Sequence, residues 1–258
     1  MKLIDLSAPI VADDPSVPEN QRIDIEFTDH ATGARQIEEL FGVGPDLLRD
    51  GEGWAIETFL RLGVHNATHV DAPYHYNSTI GGRPARTIDE LPLEWYHAPG
   101  VVLDFTAKAD GDAVTTAEIE AELARVGHRL AALDIVLVRT GRDRFYGDPD
   151  YMQRGPGVTA EATRWLHDQG VRVMGVDAWG WDRPLHLQAQ DAVASGAPGV
   201  FWAAHQADLE YSQIERLCNL AALPATGFTV SCFPLRIAGA SGAPARVVAH
   251  VPDAVEAG

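Results

Sequence analysis

Between Val101 and Val176 the chain reads VVLDF (101–105), TTAEIEAELARVG (115–127), IVLV (135–138), TAEATRWLHDQG (159–170) and VRVMGV (171–176). The first, third and fifth pieces are short apolar runs rich in β-branched residues, which predict buried strands. In the second, Thr115 and Glu118 make a capping box, Ile119, Leu123 and Val126 share a helical face, and Gly127 suits the end. Thr159 caps the other helix, which runs through Leu166 to Gly170. A helix between two strands is too long for a hairpin, so these connections cross over and the strands include parallel neighbours. The predicted class is therefore α/β, and ligands of such sheets gather beyond the carboxyl ends of the strands.

Two stretches flank this region. Upstream, HNATHVDAPYH (65–75) places His65, His69, Asp71 and His75 within eleven residues. Singly, each histidine reads as an ordinary surface or core residue. Together they are the imidazole and carboxylate donors that Zn²⁺ and similar ions take. All four positions are odd, so an extended backbone points them to one face, whereas in a helix Asp71 turns away and Pro73 breaks the ladder. A straight strand leaves His69 and Asp71 roughly 7 Å apart but His65 roughly 13 Å from His69, so the chain must bend near Asn66 and Ala67. Downstream, DAWGWDRP (177–184) follows the strand ending at Val176. Asp177, Trp179 and Trp181 there, and Trp54 earlier, are candidates for an aromatic substrate wall with a polar rim, with plain packing as the competing reading for each tryptophan.

The remaining pattern is coarser. Lys2–Leu6 and Arg22–Phe27 alternate as strands, 31–50 suggests one or two short helices, and Trp54–Val64 reads as a strand delivering the chain into His65. Phe228–Ile237 and Arg246–Val251 read as strands closing the sheet. Neither repeats nor low-complexity tracts interrupt the 258 residues, which read as one domain, 1–258. A net charge of −17 argues against nucleic-acid and anionic-membrane partners. The amino terminus lacks a signal-peptide core, no run reaches the ~20 apolar residues of a membrane span, and two cysteines make no disulfide framework, so a cytoplasmic protein is expected.

HNATHVDAPYH resembles the His-x-Gly-Thr-His-x-Asp-x-Pro-x-His signature of the cyclase family that includes bacterial kynurenine formamidases, isatin hydrolases and some polyketide cyclases. Asn66-Ala67 departs from it; the ligand positions do not. Thr87–Tyr96, DAWGWDRP and Cys232-Phe233-Pro234 are similar to family segments as well, and the tryptophan run is that of longer members. The resemblance implies a mixed, partly barrel-like sheet flanked by helices, of the swivelling β/β/α type, and a homodimer or higher homo-oligomer. It also implies that His205 and Glu215, before the Leu217, Asn219, Leu220 pattern, join His65, His69 and Asp71 around one or two Zn²⁺ or Mn²⁺ ions. Here the His–Glu spacing is about two residues short, and on one unbroken helix the pair would face different ways. The backbone must bend between them, and Glu210 competes for the role.

His75 lies beyond Pro73 and is assigned to general acid/base work, with a fourth metal ligand as the alternative. The expected activity is hydrolysis of an amide, formamide or lactone carbonyl in an aromatic or cyclic small molecule. The alternative chemistry is ring closure of a poly-ketone through an enolate, and the alternative class is a non-catalytic metal or ligand-binding protein. The amino-terminal third and the tryptophan run count against a plain kynurenine formamidase.

Overall fold

The computed structural model describes residues 1–253. It divides into two compact units, one made of Met1–Pro9 with the chain from Val64 onward, the other of Ile10–Gly63. The first holds nine strands in one mixed sheet: β1 (Lys2–Asp5), β2 (His69–Asp71), β3 (His97–Asp104), β4 (Ile135–Arg139), β5 (Val173–Val176), β6 (Ser212–Glu215), β7 (Phe228–Ser231), β8 (Gly242–Pro244) and β9 (Val248–Val251). Their spatial order is β1-β9-β7-β3-β4-β5-β6-β2-β8. The crossover argument holds: β3, β4, β5 and β6 run parallel, with Val102 opposite Leu137, Leu137 opposite Gly175 and Gly175 opposite Ile214. The strands outside this block pair antiparallel.

Side-chain alternation splits the apolar runs between two cores. Val102, Ile135, Leu137, Val173 and Ile214 pack on one face with Val70, Phe228 and Val230. Val101, Leu103, Val136, Val138, Met174 and Val176 pack on the other, against Ile119 and Leu123 of the helix Thr116–Val126 and Ala162 and Leu166 of the helix Ala160–Asp168. Burial on both faces is why these strands read as continuous apolar runs. Each fully buried aliphatic side chain contributes roughly 1.5–3 kcal/mol. Both helices begin where the sequence signals: the Thr115–Glu118 capping box is present, and Thr159 Oγ1 accepts from Ala162 N at 3.1 Å.

The sheet is curled. Beyond β1, the Leu6 N–H donates to Val247 O while Leu6 O accepts from Cys218 N at 2.9 Å, and Ser7 bridges Leu217 just past β6. Beyond β7, Pro234 bridges Ala245, just past β8. These links over the sheet make the partly barrel-like form that the resemblance implied.

In the second unit, Asp29 caps the helix His30–Phe41 and Gly42 closes it in the left-handed conformation. Asp24–Thr28 pairs antiparallel with Ile56–Arg61. The strand expected over 54–64 is thus shorter and pairs with this ribbon rather than holding the histidine motif, which has its own strand, β2. The helix Leu185–Ser195 and strand β8 had no sequence signal. Gln188 is the only buried side chain in that helix, so it lacks an apolar stripe, and β8 is Gly-Ala-Pro.

Candidate metal centre

The bend predicted before His69 is at Ala67, whose φ is 52°. Beyond it β2 lies between β6 and β8, with His69 opposite Glu215 and Asp71 opposite Gly242. The single extended face expected for His65–His75 gives way after Asp71 to a one-turn helix, Pro73–Tyr76. Pro73 starts that helix instead of breaking it, because proline's fixed φ suits a first turn whose N–H is unpaired anyway. The turn carries His75 back over His65, their rings stacked with centroids 3.7 Å apart.

The four motif residues meet around Asp71. His65 Nδ1 lies 2.7 Å and His69 Nε2 3.3 Å from Asp71 Oδ1, and His69 Nε2 is 3.6 Å from Glu215 Oε2. His69 Nδ1 faces the Ala67 carbonyl at 2.9 Å. A carbonyl only accepts, so in the neutral ring the proton sits on Nδ1 and Nε2 is the nitrogen left with a lone pair for an ion. Both His69 Nε2 and Asp71 Oδ2 are buried without a hydrogen-bond partner. Two electron pairs and a second carboxylate facing each other in the interior are costly unless a cation sits among them. Two donor groups result, His69–Asp71–Glu215 and His65–Asp71–His75, and they share Asp71.

Electrostatics follow from this crowding. Asp71 is fully buried, which works against ionisation, yet the imidazoles of His65, His69 and His75 hold its carboxyl well below the usual range. Burial pushes His75 down to about 4, with Asp71 opposing, so the ring is neutral at pH 7. His205 is pushed the other way, to about 10: burial opposes protonation, but hydrogen bonds to Asp182 and Glu215 outweigh it.

His205 and Glu215 do come together. Glu215 ends β6, and His205 lies in the turns before it rather than on a helix, so the required bend is present. His205 Nε2 is 3.5 Å from Glu215 Oε1. Glu210 is not part of this group, since Arg86 binds it through two bonds of 2.6 and 2.7 Å. Of the proposed aromatic wall, Trp181 is buried with its Nε1 donating to Thr163 Oγ1, and it reaches the centre by its backbone N–H, 3.0 Å from Glu215 Oε1. Asp177 accepts from Thr140 N, Thr140 Oγ1 and Gly141 N, which joins the ends of β4 and β5. Trp179 is partly exposed and stacked under the Arg216 guanidinium. Trp54 belongs to the second unit, where its Nε1 donates to Gln36.

Sequence reasoning missed three contributors. Asp182 accepts from His205 Nδ1 at 2.5 Å and so aims Nε2 at Glu215; it stands in DAWGWDRP, beside the residues singled out there. Ser241 holds His65 Nε2 at 2.9 Å. Trp202 stacks on His205 at 4.4 Å and meets His75 edge-on at 5.0 Å. Neither of the last two stands in a motif.

Residues 4–183 match the family model described as Putative cyclase. The chain belongs to the cyclase family. An isatin hydrolase of Roseibium aggregatum is 30% identical over 210 residues, 75% of this chain and 74% of the relative. A kynurenine formamidase of Salinibacter ruber is 29% identical over 195 residues, 75% and 80% of the two chains. Among solved structures, isatin hydrolase A from Ralstonia solanacearum superposes with a TM-score of 0.75 at 27% identity, covering 97% of this chain and 92% of that one. This cyclase-family member is thus an enzyme of the hydrolase and cyclase type, and its His/Asp groups are of the kind that hold a metal.

Proposed function

We propose that the chain is a metal-dependent hydrolase that opens an amide, formamide or lactone carbonyl of a small aromatic or cyclic molecule. The observation that carries this is the pair of buried, partnerless acceptors, His69 Nε2 and Asp71 Oδ2, facing Glu215. The relatives named for isatin and kynurenine support the substrate class. His69, Asp71 and Glu215 would hold the ion, with His65 and, on losing its Nε2 proton, His205 completing the set. A nitrogen and oxygen donor set without thiolate suits Zn²⁺ or Mn²⁺, and the shared Asp71 accommodates one ion or two. A bound divalent ion supplies Lewis acidity, polarising a carbonyl and lowering the pKa of water to about 7.

The chain's own groups do the rest. His75, neutral and stacked on His65, accepts the proton from the attacking water and returns it to the leaving nitrogen or oxygen. Asp182 fixes His205 by taking its Nδ1 proton in a hydrogen bond. Trp202 and Trp179 offer flat surfaces to a planar substrate. We also infer a cytoplasmic homodimer or higher homo-oligomer, which the exposed Phe27, Phe59 and Leu60 and the free cysteines support.

The test is a side-by-side assay of isatin, N-formylkynurenine, a dienelactone and an aromatic poly-ketone, before and after chelation. Hydrolysis of one of the first three, lost on chelation and restored by Zn²⁺ or Mn²⁺, is expected. Turnover untouched by chelation, or ring closure alone, would overturn the reading.

A further inference from the structure

Arg216 follows Glu215 at the end of β6 with φ 57°, in the left-handed region where a long side chain is rarely found. Its backbone is pinned on both sides, N–H to Ala178 O at 3.0 Å and carbonyl to Thr68 Oγ1 at 2.6 Å. The side chain is buried, 4% exposed, with its guanidinium carbon 3.6 Å from the centre of the Trp179 ring and Nε donating to Trp179 O at 3.4 Å. Nη1 is buried with no hydrogen-bond partner, and the group forms no ion pair among the described residues. The acidic groups around it are already engaged. Glu215 and Asp71 belong to the candidate metal centre, and of the acidic groups near Tyr151, Asp177 is held by Thr140 and Gly141 and Asp143 accepts from Asn219 N.

Tyr151 meets the same indole from another side, edge-on at 6.0 Å. It is fully buried, and its hydroxyl also lacks a partner. One tryptophan thus carries two side chains with unused donors, beside the residue that ends β6 at the metal centre. A buried unpaired charge in a strained backbone lowers stability, and such features persist where they serve a ligand. A planar guanidinium with an unpaired Nη1, sharing its indole with a phenol whose hydroxyl is also unpaired, matches a carboxylate, and the partly exposed Trp179 ring suits a flat ring attached to it.

We propose that Arg216 and Tyr151, arranged on Trp179, form a subsite for a carboxylate carried by the aromatic ligand of the adjacent centre. This deepens the hydrolase reading and rests on it for the ligand being substrate or product. The probe is benzoate, with benzamide as the uncharged control, titrated into metal-loaded protein and followed by calorimetry. Benzoate should bind at least tenfold more tightly than benzamide. Arg216→Asn, which the left-handed backbone accepts, should abolish that difference while keeping its metal and melting no lower than the parent. Tyr151→Phe should weaken benzoate several-fold. Unchanged benzoate binding in Arg216→Asn would show that the metal alone takes the carboxylate, and a melting point several degrees lower would show that the guanidinium is structural. Either result overturns the subsite. Benzoate discrimination that persists in a protein hydrolysing none of the test substrates supports the subsite and removes only the hydrolase reading.

Discussion

At Asp71 a carboxylate is enclosed by three imidazoles, and the chemistry of the centre depends on which of them keeps a lone pair. His69 can do so at Nε2 because its Nδ1–H donates to the Ala67 carbonyl, and His205 is aimed because its Nδ1–H donates to Asp182. Asp182→Asn should therefore lower metal affinity about 10- to 100-fold without unfolding the chain, since outer partners of ligating histidines have effects of that size. Competition with a chromogenic chelator measures it. His75→Ala should keep the metal and lose about 10²–10⁴ in kcat. Loss of metal from that variant, by elemental analysis, would make His75 a ligand of the His65–Asp71 group instead. The donors in HNATHVDAPYH were legible because their spacing is local. Asp182, Ser241 and Trp202 were not, because each reaches the centre from a distant part of the chain, and only the fold states which loop faces which.

Elements deliver these residues through close backbone approaches. In β3, a Cβ at Gly100 would lie 2.3 Å from Phe228 Cε2 in the neighbouring β7. Gly100→Ala should cost about 1–3 kcal/mol in chemical denaturation, the range of overpacked cores. In the stretch before Trp181, a Cβ at Gly180 would lie 3.3 Å from Glu215 Oε1. The parallel block and its two helices were readable, since apolar runs, a capping box and a threonine cap are set by neighbours in sequence. Strand β8 was not, as Gly-Ala-Pro becomes a strand only by pairing with β2. Between the two readings the sequence leaves open for Trp181, wall or packing, composition has no say; the helix Ala160–Asp168 packs against it, and its Nε1–H donates to Thr163 Oγ1.

For the molecule as a whole, charge sets the response to solution conditions. Arg86 holds the Glu210 carboxyl below its ordinary value, mainly through their hydrogen bonds, with partial burial opposing. A carboxylate lowered in this way stabilises the fold fully above its unfolded value and loses that contribution as pH falls through the folded one. The pair is about two-fifths exposed on the Glu210 side, so its worth at pH 7 is at most about 1 kcal/mol. The stability gap between the parent and Glu210→Gln, from urea titrations, should shrink towards zero as pH drops below the ordinary carboxylate range. With a net charge of −17, moderate salt should raise the melting temperature by screening self-repulsion.

All of this depends on a cation among His69, Asp71 and Glu215, and anomalous scattering from crystals grown with Mn²⁺ or Zn²⁺ locates such an ion directly. A strong peak within bonding distance of His69 Nε2, Asp71 and Glu215, absent from His69→Ala crystals, is the predicted result. Metal bound elsewhere, with those three side chains unliganded at saturating concentration, would contradict the account.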